Sequence, residues 1–324
     1  MVKKLTLIKI NTVSDTSTTR STPMVLRAVR VFQLQEWLGM FRNVLFPTDF
    51  SGHAKRALEC VTGLPGIQEV ILLHVADLKD ISRWGEQDII AGAKRHLAED
   101  RAYLTARGIT VRPVLKKTKD GSIGKEIVAV ASSEGATAIV MSARGKGMVE
   151  GILLGTVSNY VLRNTSIHLL IMRYRLVEHL DGKTYTKFCP MILSKVVCPT
   201  DFSVFSDQTI QSVSGLPGLG EMVLVHVVSS GETPEEIAAG HADAKQRLAA
   251  IVADLSGRGI PARYHILTGN PATEINRLAT EEDASLIALS SFGKGWFRDL
   301  MLGSTAAEVV RTAERPVVIM RGRL

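Results

Sequence analysis

A tandem repeat is the feature of this sequence that most restricts its fold. The string Pro-Thr-Asp-Phe-Ser at 47–51 recurs at 199–203, an offset of 152 residues. Gly-Leu-Pro-Gly at 63–66 recurs at the same offset, and after residue 121 the offset settles at 148. An ordered series of matches of this kind indicates a duplicated structural unit rather than chance. We therefore predict two copies of one domain.

The domain boundaries follow from this repeat. A chain of 324 residues is long for one domain and sufficient for two, each with its own core. We expect an N-terminal extension over 1–40, a first domain over 41–173, a linker over 174–193 and a second domain over 194–324. The extension is rich in Ser and Thr at 11–23. We expect it to be flexible and dispensable for folding.

Strand-like and helix-like segments alternate within each copy. Short apolar runs such as 70–75 and 138–142 predict buried strands, and longer stretches such as 88–107 predict the helices between them. Aromatic content is only 5% and aliphatic residues dominate, as in parallel strands covered on both faces. The predicted fold class is therefore α/β, with two tandem open, mostly parallel five-stranded sheets that carry helices on both faces.

Composition argues against several classes of function. The formal net charge is +7, but residues 1–41 hold six basic and two acidic residues and so account for +4 of it. The remaining +3 does not predict a nucleic-acid partner. No apolar run reaches the roughly 18 residues of a membrane helix. The three cysteines, Cys60, Cys189 and Cys198, lack metal-ligand spacing and are interpreted as small apolar residues. We expect a cytoplasmic protein without membrane contact.

Candidate functional residues follow the predicted strands. In an open parallel sheet, ligands bind beyond the carboxyl ends of the strands, where the strand order reverses. Asp49 and Asp201 follow the first strand of each copy, where an aspartate either starts a turn or helix or contacts a ligand. His74 ends the second strand and is interpreted as a packed, hydrogen-bonded residue rather than a catalyst.

A glycine loop follows the fourth strand of each copy. In copy one it contains Gly145, nine further residues and then Gly155-Thr156, and copy two repeats this spacing. Glycine permits close approach of the backbone to a ligand and also positive φ. A helix that opens there offers free N–H groups to a phosphate, although the hydroxyl could instead cap the helix. The repeated spacing favours a phosphate site.

On these residues the chain resembles the tandem, nucleotide-binding form of the universal stress protein family, whose fold is Rossmann-like and similar to that of adenine nucleotide alpha hydrolases. The resemblance runs from Phe41 to Arg321. It implies a stress-response regulator or sensor that binds ATP or AMP, with Mg²⁺ as an optional companion, and that has no catalytic or metal-ligating residues. It implies nucleotide contacts at Pro47, Asp49, Val75, Ser142, Gly145, Gly155 and Thr156 in copy one, and at Pro199, Asp201, Val227, Ser290, Gly293, Gly303 and Ser304 in copy two.

The loop departs from the family pattern in two ways. The first glycine of the pattern is serine in both copies, Ser142 and Ser290, and its Cβ narrows the approach to the ribose. Arg144 of copy one is replaced by Phe292 in copy two, so copy one is expected to bind a triphosphate better.

The resemblance also implies partners. The two copies are expected to pair within one chain through their fifth strands. Two further partners stay open: a second copy of the chain, which would make a homodimer, and a protein of unknown identity. Two alternative functions remain. One is a slow ATPase, although the chain lacks a Gly-x4-Gly-Lys-[Ser/Thr] phosphate loop. The other is an interaction scaffold with a vacant pocket, although both loops keep glycine and a hydroxyl where phosphates would bind.

Overall fold

The computed structural model describes residues 39–79, 85–145, 154–179, 182–187, 191–228, 233–293 and 302–322. The predicted N-terminal extension up to residue 38 and the interiors of both glycine loops, 146–153 and 294–301, lie outside the described residues.

Copy one alternates five strands with four helices, close to the predicted order. The strands are β1 (Asn43–Pro47), β2 (Glu69–Asp77), β3 (Thr110–Thr118), β4 (Ala138–Ser142) and β5 (His168–Met172). The helices are α1 (Gly52–Val61), α2 (Glu86–Thr105), α3 (Ile123–Ser133) and α4 (Thr156–Asn164). A hairpin of β6 (Tyr174–His179) and β7 (Gly182–Lys187) then lies within the predicted linker, where the sequence had suggested only a connection.

Copy two repeats the same order of elements. Its strands are β8 (Lys195–Pro199), β9 (Glu221–Val228), β10 (Ala262–Thr268), β11 (Leu286–Ser290) and β12 (Val317–Met320). Its helices are α5 (Val204–Ser214), α6 (Pro234–Gly257), α7 (Pro271–Glu281) and α8 (Ser304–Thr312). The duplication is therefore present in the structure as well as in the sequence.

All ten of these strands join one sheet. Its strand order is β10-β9-β8-β11-β12-β5-β4-β1-β2-β3, and pairing is parallel throughout except between β12 and β5. The α/β class is confirmed, and so is the mostly parallel pairing within each copy. Only the number of sheets needs correction, because the two predicted five-stranded sheets join into one through the pairing of their fifth strands, the pairing within one chain that the family resemblance implied.

Side chains of each strand alternate between two cores. Val44 and Phe46 of β1 belong to a core that includes Leu58 of α1 and Leu97 of α2. Leu45 between them belongs to a second core on the opposite face, with residues of α3 and α4. Because successive strand side chains point to opposite faces, a strand covered on both faces must be apolar at nearly every position. This explains the unbroken aliphatic runs in the sequence.

The antiparallel pairing of β5 with β12 connects the copies. Val318 lies opposite Leu170 in this pairing, and both side chains are buried. Without this pairing, each of these strands would expose its backbone hydrogen-bonding groups and apolar side chains to solvent, which favours association with another chain. β5 and β12 run in opposite directions. The carboxyl ends of the copy-one strands therefore point one way along the strand direction, and those of the copy-two strands point the opposite way.

Two buried arginines cross this junction reciprocally. Arg173, directly after β5, donates through Nη2 to the carbonyl of Val310 in α8 at 2.5 Å. Arg321, directly after β12, donates to the carbonyl of Leu162 in α4 at 2.6 Å. Both carbonyls lie in the last turn of a helix, where the backbone leaves acceptors unsatisfied and the helix dipole favours a cation. Each copy thus supplies a cationic cap to a helix of the other.

The structure corrects the interpretation of one cysteine. Cys60 is disulfide-bonded, so it is not the unpaired apolar residue that we expected. Cys198 is a buried free thiol, and burial raises the pKa of that thiol. Within the part of the chain that the structure describes, no helix is both long enough and apolar enough to cross a bilayer.

Replacing Arg321 by Met should test the reciprocal caps. The variant keeps most of the side-chain length but leaves the Leu162 carbonyl without its charged donor. We expect the free energy of unfolding to fall by about 2–3 kcal/mol in urea denaturation. The matched control is Arg311→Met, which removes an exposed pair with Glu308 and should cost less than about 0.5 kcal/mol. Equal effects of the two substitutions would contradict the proposed role of the cap.

Separating the copies should expose the edges that β5 and β12 now cover. We expect the two halves, expressed separately, to dimerise or aggregate, because a long apolar strand edge is free to pair with another copy. Sedimentation velocity of each half measures this. Two stable monomers would show that the junction contributes little to solubility.

Candidate functional site

In each copy the strand order reverses between the first and the fourth strand, and we use the word crevice for the place beyond the carboxyl ends of these two strands. In copy one β1 pairs with β2 on one side and with β4 on the other, so the chain leaves β1 and β4 in opposite directions across the sheet. In copy two β8 lies between β9 and β11 in the same way. The carboxyl ends of such neighbouring strands are where open α/β sheets bind ligands. The Pro-Thr-Asp-Phe-Ser turn and the glycine loop meet at this place.

The turn after β1 is built from its own side chains. The Thr48 hydroxyl accepts the N–H of Phe50, and Asp49 Oδ1 accepts the N–H of Ser51, both at 3.0 Å. Ser51 Oγ caps α1 by accepting the N–H of Ala54 at 3.2 Å. Asp201 and Ser203 repeat the 3.0 Å contact in copy two. The aspartate therefore forms the turn, and the serine two residues later forms the helix cap. Contact of the aspartate with a ligand stays a prediction.

Phe50 and Phe202 have a backbone conformation that bulky residues rarely adopt. Their φ angles are +60° and +61°. Left-handed backbone costs about 1–2 kcal/mol for a residue with a Cβ. The rings stack on the neighbouring histidines, with centroid distances of 4.3 Å from Phe50 to His74 and 4.6 Å from Phe202 to His226. Strain of this kind gathers at functional sites, and here it recurs in both copies.

His74 holds the turn in place. Its Nδ1 donates to the Thr48 carbonyl at 2.8 Å, and the Thr48 N–H donates to the Leu73 carbonyl at 2.8 Å. His226 makes the corresponding 2.8 Å contact with Thr200. The interpretation of His74 as a packed, hydrogen-bonded residue agrees with this geometry.

The first half of the glycine loop lies against the aspartate of the turn. A Cβ on Gly145 would lie 2.6 Å from Asp49 Oδ2, and one on Gly293 would lie 2.5 Å from Asp201 Oδ2. Neither glycine has positive φ. Space, rather than backbone freedom, is therefore what requires glycine at these two positions. The structure thus brings the loop and the carboxylate together, as the repeat suggested.

The serines that replace the first glycine of the loop bond to the loop itself. Ser142 Oγ donates to the Arg144 carbonyl at 2.5 Å, and Ser290 Oγ donates to the Phe292 carbonyl at 2.7 Å. The hydroxyl therefore closes the turn over two residues, and both copies use it in the same way. The departure from the family pattern is a stabilising contact within the loop.

The second half of the loop opens a helix whose N-cap residue is glycine, which has no side chain of its own to cap the helix. Gly155 and Gly303 are the N-cap residues of α4 and α8, with φ of −70° and −69°. Thr156 and Ser304 follow as exposed first residues. The Gly155 N–H donates back to the Ala143 carbonyl at 2.9 Å, which ties the helix start to the end of β4. The first N–H groups of an α-helix have no acceptor within the helix, and such groups can bind an anion.

The remaining predicted contacts lie on the strands beside the crevice. Val75 is buried near the end of β2, and Val227 is half-buried near the end of β9. Pro47 and Pro199 end β1 and β8. All fourteen predicted residues therefore belong to strand ends, turns or helix starts at the two crevices. In the described ranges, no group of three or more His, Cys, Asp or Glu side chains could hold a metal ion.

Sequence reasoning singled out Arg144 but missed two basic side chains near it in copy one, His53 and Arg56. His53 and Arg56 lie in α1, close to Arg144 of the loop. Burial, followed by the charges of Arg56 and Arg144, lowers the pKa of His53, while the Asp49 charge opposes this shift. Comparing the first helices of the two copies position by position would have pointed to His53 and Arg56, because neither residue recurs in copy two.

The family model of the universal stress protein family matches residues 40–173 and 193–321. The chain belongs to this family. A universal stress protein from Methanocaldococcus jannaschii is 28% identical over 158 residues, which cover 41% of this chain and 96% of that protein. The alignment therefore spans a single copy, and the relative corresponds to one domain of this universal stress protein.

Solved structures show the tandem fold. The crystal structure of a universal stress protein from Archaeoglobus fulgidus DSM 4304 has a TM-score of 0.63 and 24% identity, and the match covers 86% of this chain and 96% of that one. A putative universal stress protein from Pseudomonas aeruginosa UCBPP-PA14 has a TM-score of 0.63 and 17% identity, with coverage of 87% and 94%. At these identities the likeness establishes the fold.

A double-mutant cycle should test the contact between Gly145 and Asp49. Gly145→Ala places a Cβ against a carboxylate that Ser51 already holds, and we expect it to lower the free energy of unfolding by about 1–3 kcal/mol. In an Asp49→Ala background most of this cost should disappear. Gly92→Ala is the control, since no atom lies within 4 Å of that Cβ, and it should be neutral or stabilising. Additive costs at the two positions would contradict the contact.

Proposed function

We propose that this universal stress protein binds adenosine nucleotides, ATP or AMP, at its two crevices and acts as a stress-response regulator. The observation that carries the proposal is the repeated placement of a helix N-terminus that begins at glycine beside a glycine loop at the strand-order reversal. Backbone N–H groups and the helix dipole at such a place favour a phosphate. The resemblance of the loop to that of nucleotide-binding members of the family supports the same assignment.

The roles of the individual residues follow from their places in the crevice. Gly155 and Thr156 would hold phosphate oxygens through the backbone and the exposed hydroxyl, and Gly303 and Ser304 would do so in copy two. Asp49 and Val75, with Asp201 and Val227, would contact the adenine at the ends of the first two strands of each copy. Where Mg²⁺ accompanies the nucleotide, the phosphates would supply most of its ligands.

Copy one is expected to be the stronger site for ATP. Arg144 belongs to its loop, whereas Phe292 occupies the same place in copy two. A guanidinium binds phosphate through charge-assisted hydrogen bonds, which are stronger than those between neutral groups. The phenylalanine ring offers none.

Isothermal titration calorimetry with ATP and Mg²⁺ on two valine variants tests the proposal. Gly155→Val places a branched side chain at the start of α4, where a phosphate would approach. It should lower the ATP affinity of copy one by 10-fold or more, and each factor of ten corresponds to about 1.4 kcal/mol of binding free energy. Gly303→Val is the matched change in copy two and should remove only the weaker site. Phosphate release in the same samples distinguishes binding from slow hydrolysis.

Folding must be intact for this test to be decisive. Both variants are therefore compared with the parent protein by thermal denaturation. If both remain folded and bind ATP as tightly as the parent, the glycine loops are not the nucleotide site.

A further inference from the structure

The two crevices differ in the side chains that flank them, although their backbones repeat. Four positions around the glycine loop carry this difference: two in the first helix of the copy, one in the loop and one just after the fifth strand. In copy one they are His53, Arg56, Arg144 and Tyr174, and in copy two they are Phe205, Gln208, Phe292 and Gly322.

In copy one these positions form a polar and cationic group. Tyr174 Oη donates to the His53 carbonyl at 3.4 Å, and this contact connects the first residue of β6 to the start of α1. The guanidinium of Arg56 folds back over that helix start, 3.8 Å from where a Cβ on Gly52 would lie. Arg144 follows β4 in the loop that contacts Asp49 through Gly145. The charges of both Arg56 and Arg144 act on His53, so the two guanidinium groups lie near the same residue of α1.

In copy two the same volume is filled by aromatic rings. The rings of Phe205 and Phe292 have centroids 5.4 Å apart at an interplanar angle of 58°. A Cβ on Gly322 would lie 2.7 Å from Phe205 Cδ1 and 3.1 Å from Gln208 Oε1, so glycine leaves the room that the ring occupies. Copy two therefore does more than lose an arginine. Two aromatic rings pack together at these positions, and glycine at 322 leaves space for one of them.

We propose that the two crevices sort adenosine nucleotides by charge, with copy one selecting the triphosphate and copy two the monophosphate. This rests on the proposed function. The helix N-terminus and loop backbone are alike in both copies and would hold the first phosphate equally. Two guanidinium groups favour the added charge of the distal phosphates in copy one. An aromatic pair removes water from those phosphates without compensating their charge, which disfavours the triphosphate in copy two.

The test uses single-site proteins. Gly303→Val leaves copy one and Gly155→Val leaves copy two, and calorimetry at fixed ionic strength gives the dissociation constants of ATP and AMP for each. We expect the ratio of ATP affinity to AMP affinity to be at least about 10-fold higher in the copy-one protein. Equal ratios with measurable AMP binding overturn the sorting and leave the proposed function standing. Absence of binding of either nucleotide to either protein overturns both.

Exchanging the flanking residues locates the cause. In the copy-one protein, Arg56→Gln with Arg144→Gln should lower ATP affinity by about 10- to 100-fold and affect AMP far less. The control with the same change in net charge is Arg101→Gln with Arg107→Gln, exposed arginines in α2 and just after it, and its ATP affinity should stay within about twofold of the parent. In the copy-two protein, Gln208→Arg with Phe292→Arg should raise the ratio. A ratio that stays unchanged in either exchange overturns the proposal.

Discussion

The antiparallel pairing of β5 with β12 is the interaction on which the rest of this structure depends. Four of the five residues in β5 are buried, and so are all four in β12. A strand of this composition is suited to the centre of a sheet covered on both faces and is unsuited to an edge. Joining the two fifth strands makes each of them central. The outer edges of the sheet are then β3 and β10, whose residues are mostly half-buried or exposed.

This junction also controls the position of both glycine loops. The Met172 carbonyl at the end of β5 accepts the N–H of Ala143 in the copy-one loop, and the next residue, Arg173, caps α8 of copy two. In the other direction the Met320 carbonyl accepts the N–H of Ser291, and Arg321 caps α4 of copy one. At the end of each fifth strand, the last residue therefore contacts the glycine loop of its own copy, and the next residue contacts the helix that follows the glycine loop of the other copy.

Much of the fold could be predicted from the sequence because it follows from local patterns. Aliphatic runs set the strands of each copy, and strand-helix alternation set the parallel pairing. The junction of the two copies was expected from the family resemblance alone, because no local pattern reports the approach of β5 and β12, two strands more than 140 residues apart. The hairpin of β6 and β7 was also missed, since its short strands lie in a stretch interpreted as a linker.

The candidate site was predicted unevenly, for physical reasons. Asp49 and Gly145 were both singled out, but sequence alone could not show that the carboxylate occupies the space a Cβ would need. Glycine at that position was therefore attributed to backbone freedom as readily as to space. The positive φ of Phe50 was missed because phenylalanine gives no local signal for a left-handed backbone.

The two crevices show how a duplicated backbone permits divergence. Two of the hydrogen bonds that build each turn have the same lengths in both copies, 2.8 Å from histidine to threonine and 3.0 Å from serine to aspartate. These contacts use backbone groups and short polar side chains, so they do not constrain the residues that only flank the crevice. Arg144 and Phe292 hold such a flanking position, and each loop closes around them through the same serine hydroxyl. The loop can therefore keep its shape while the charge beside it changes, because the atoms that fix the shape and the atoms that differ belong to separate groups.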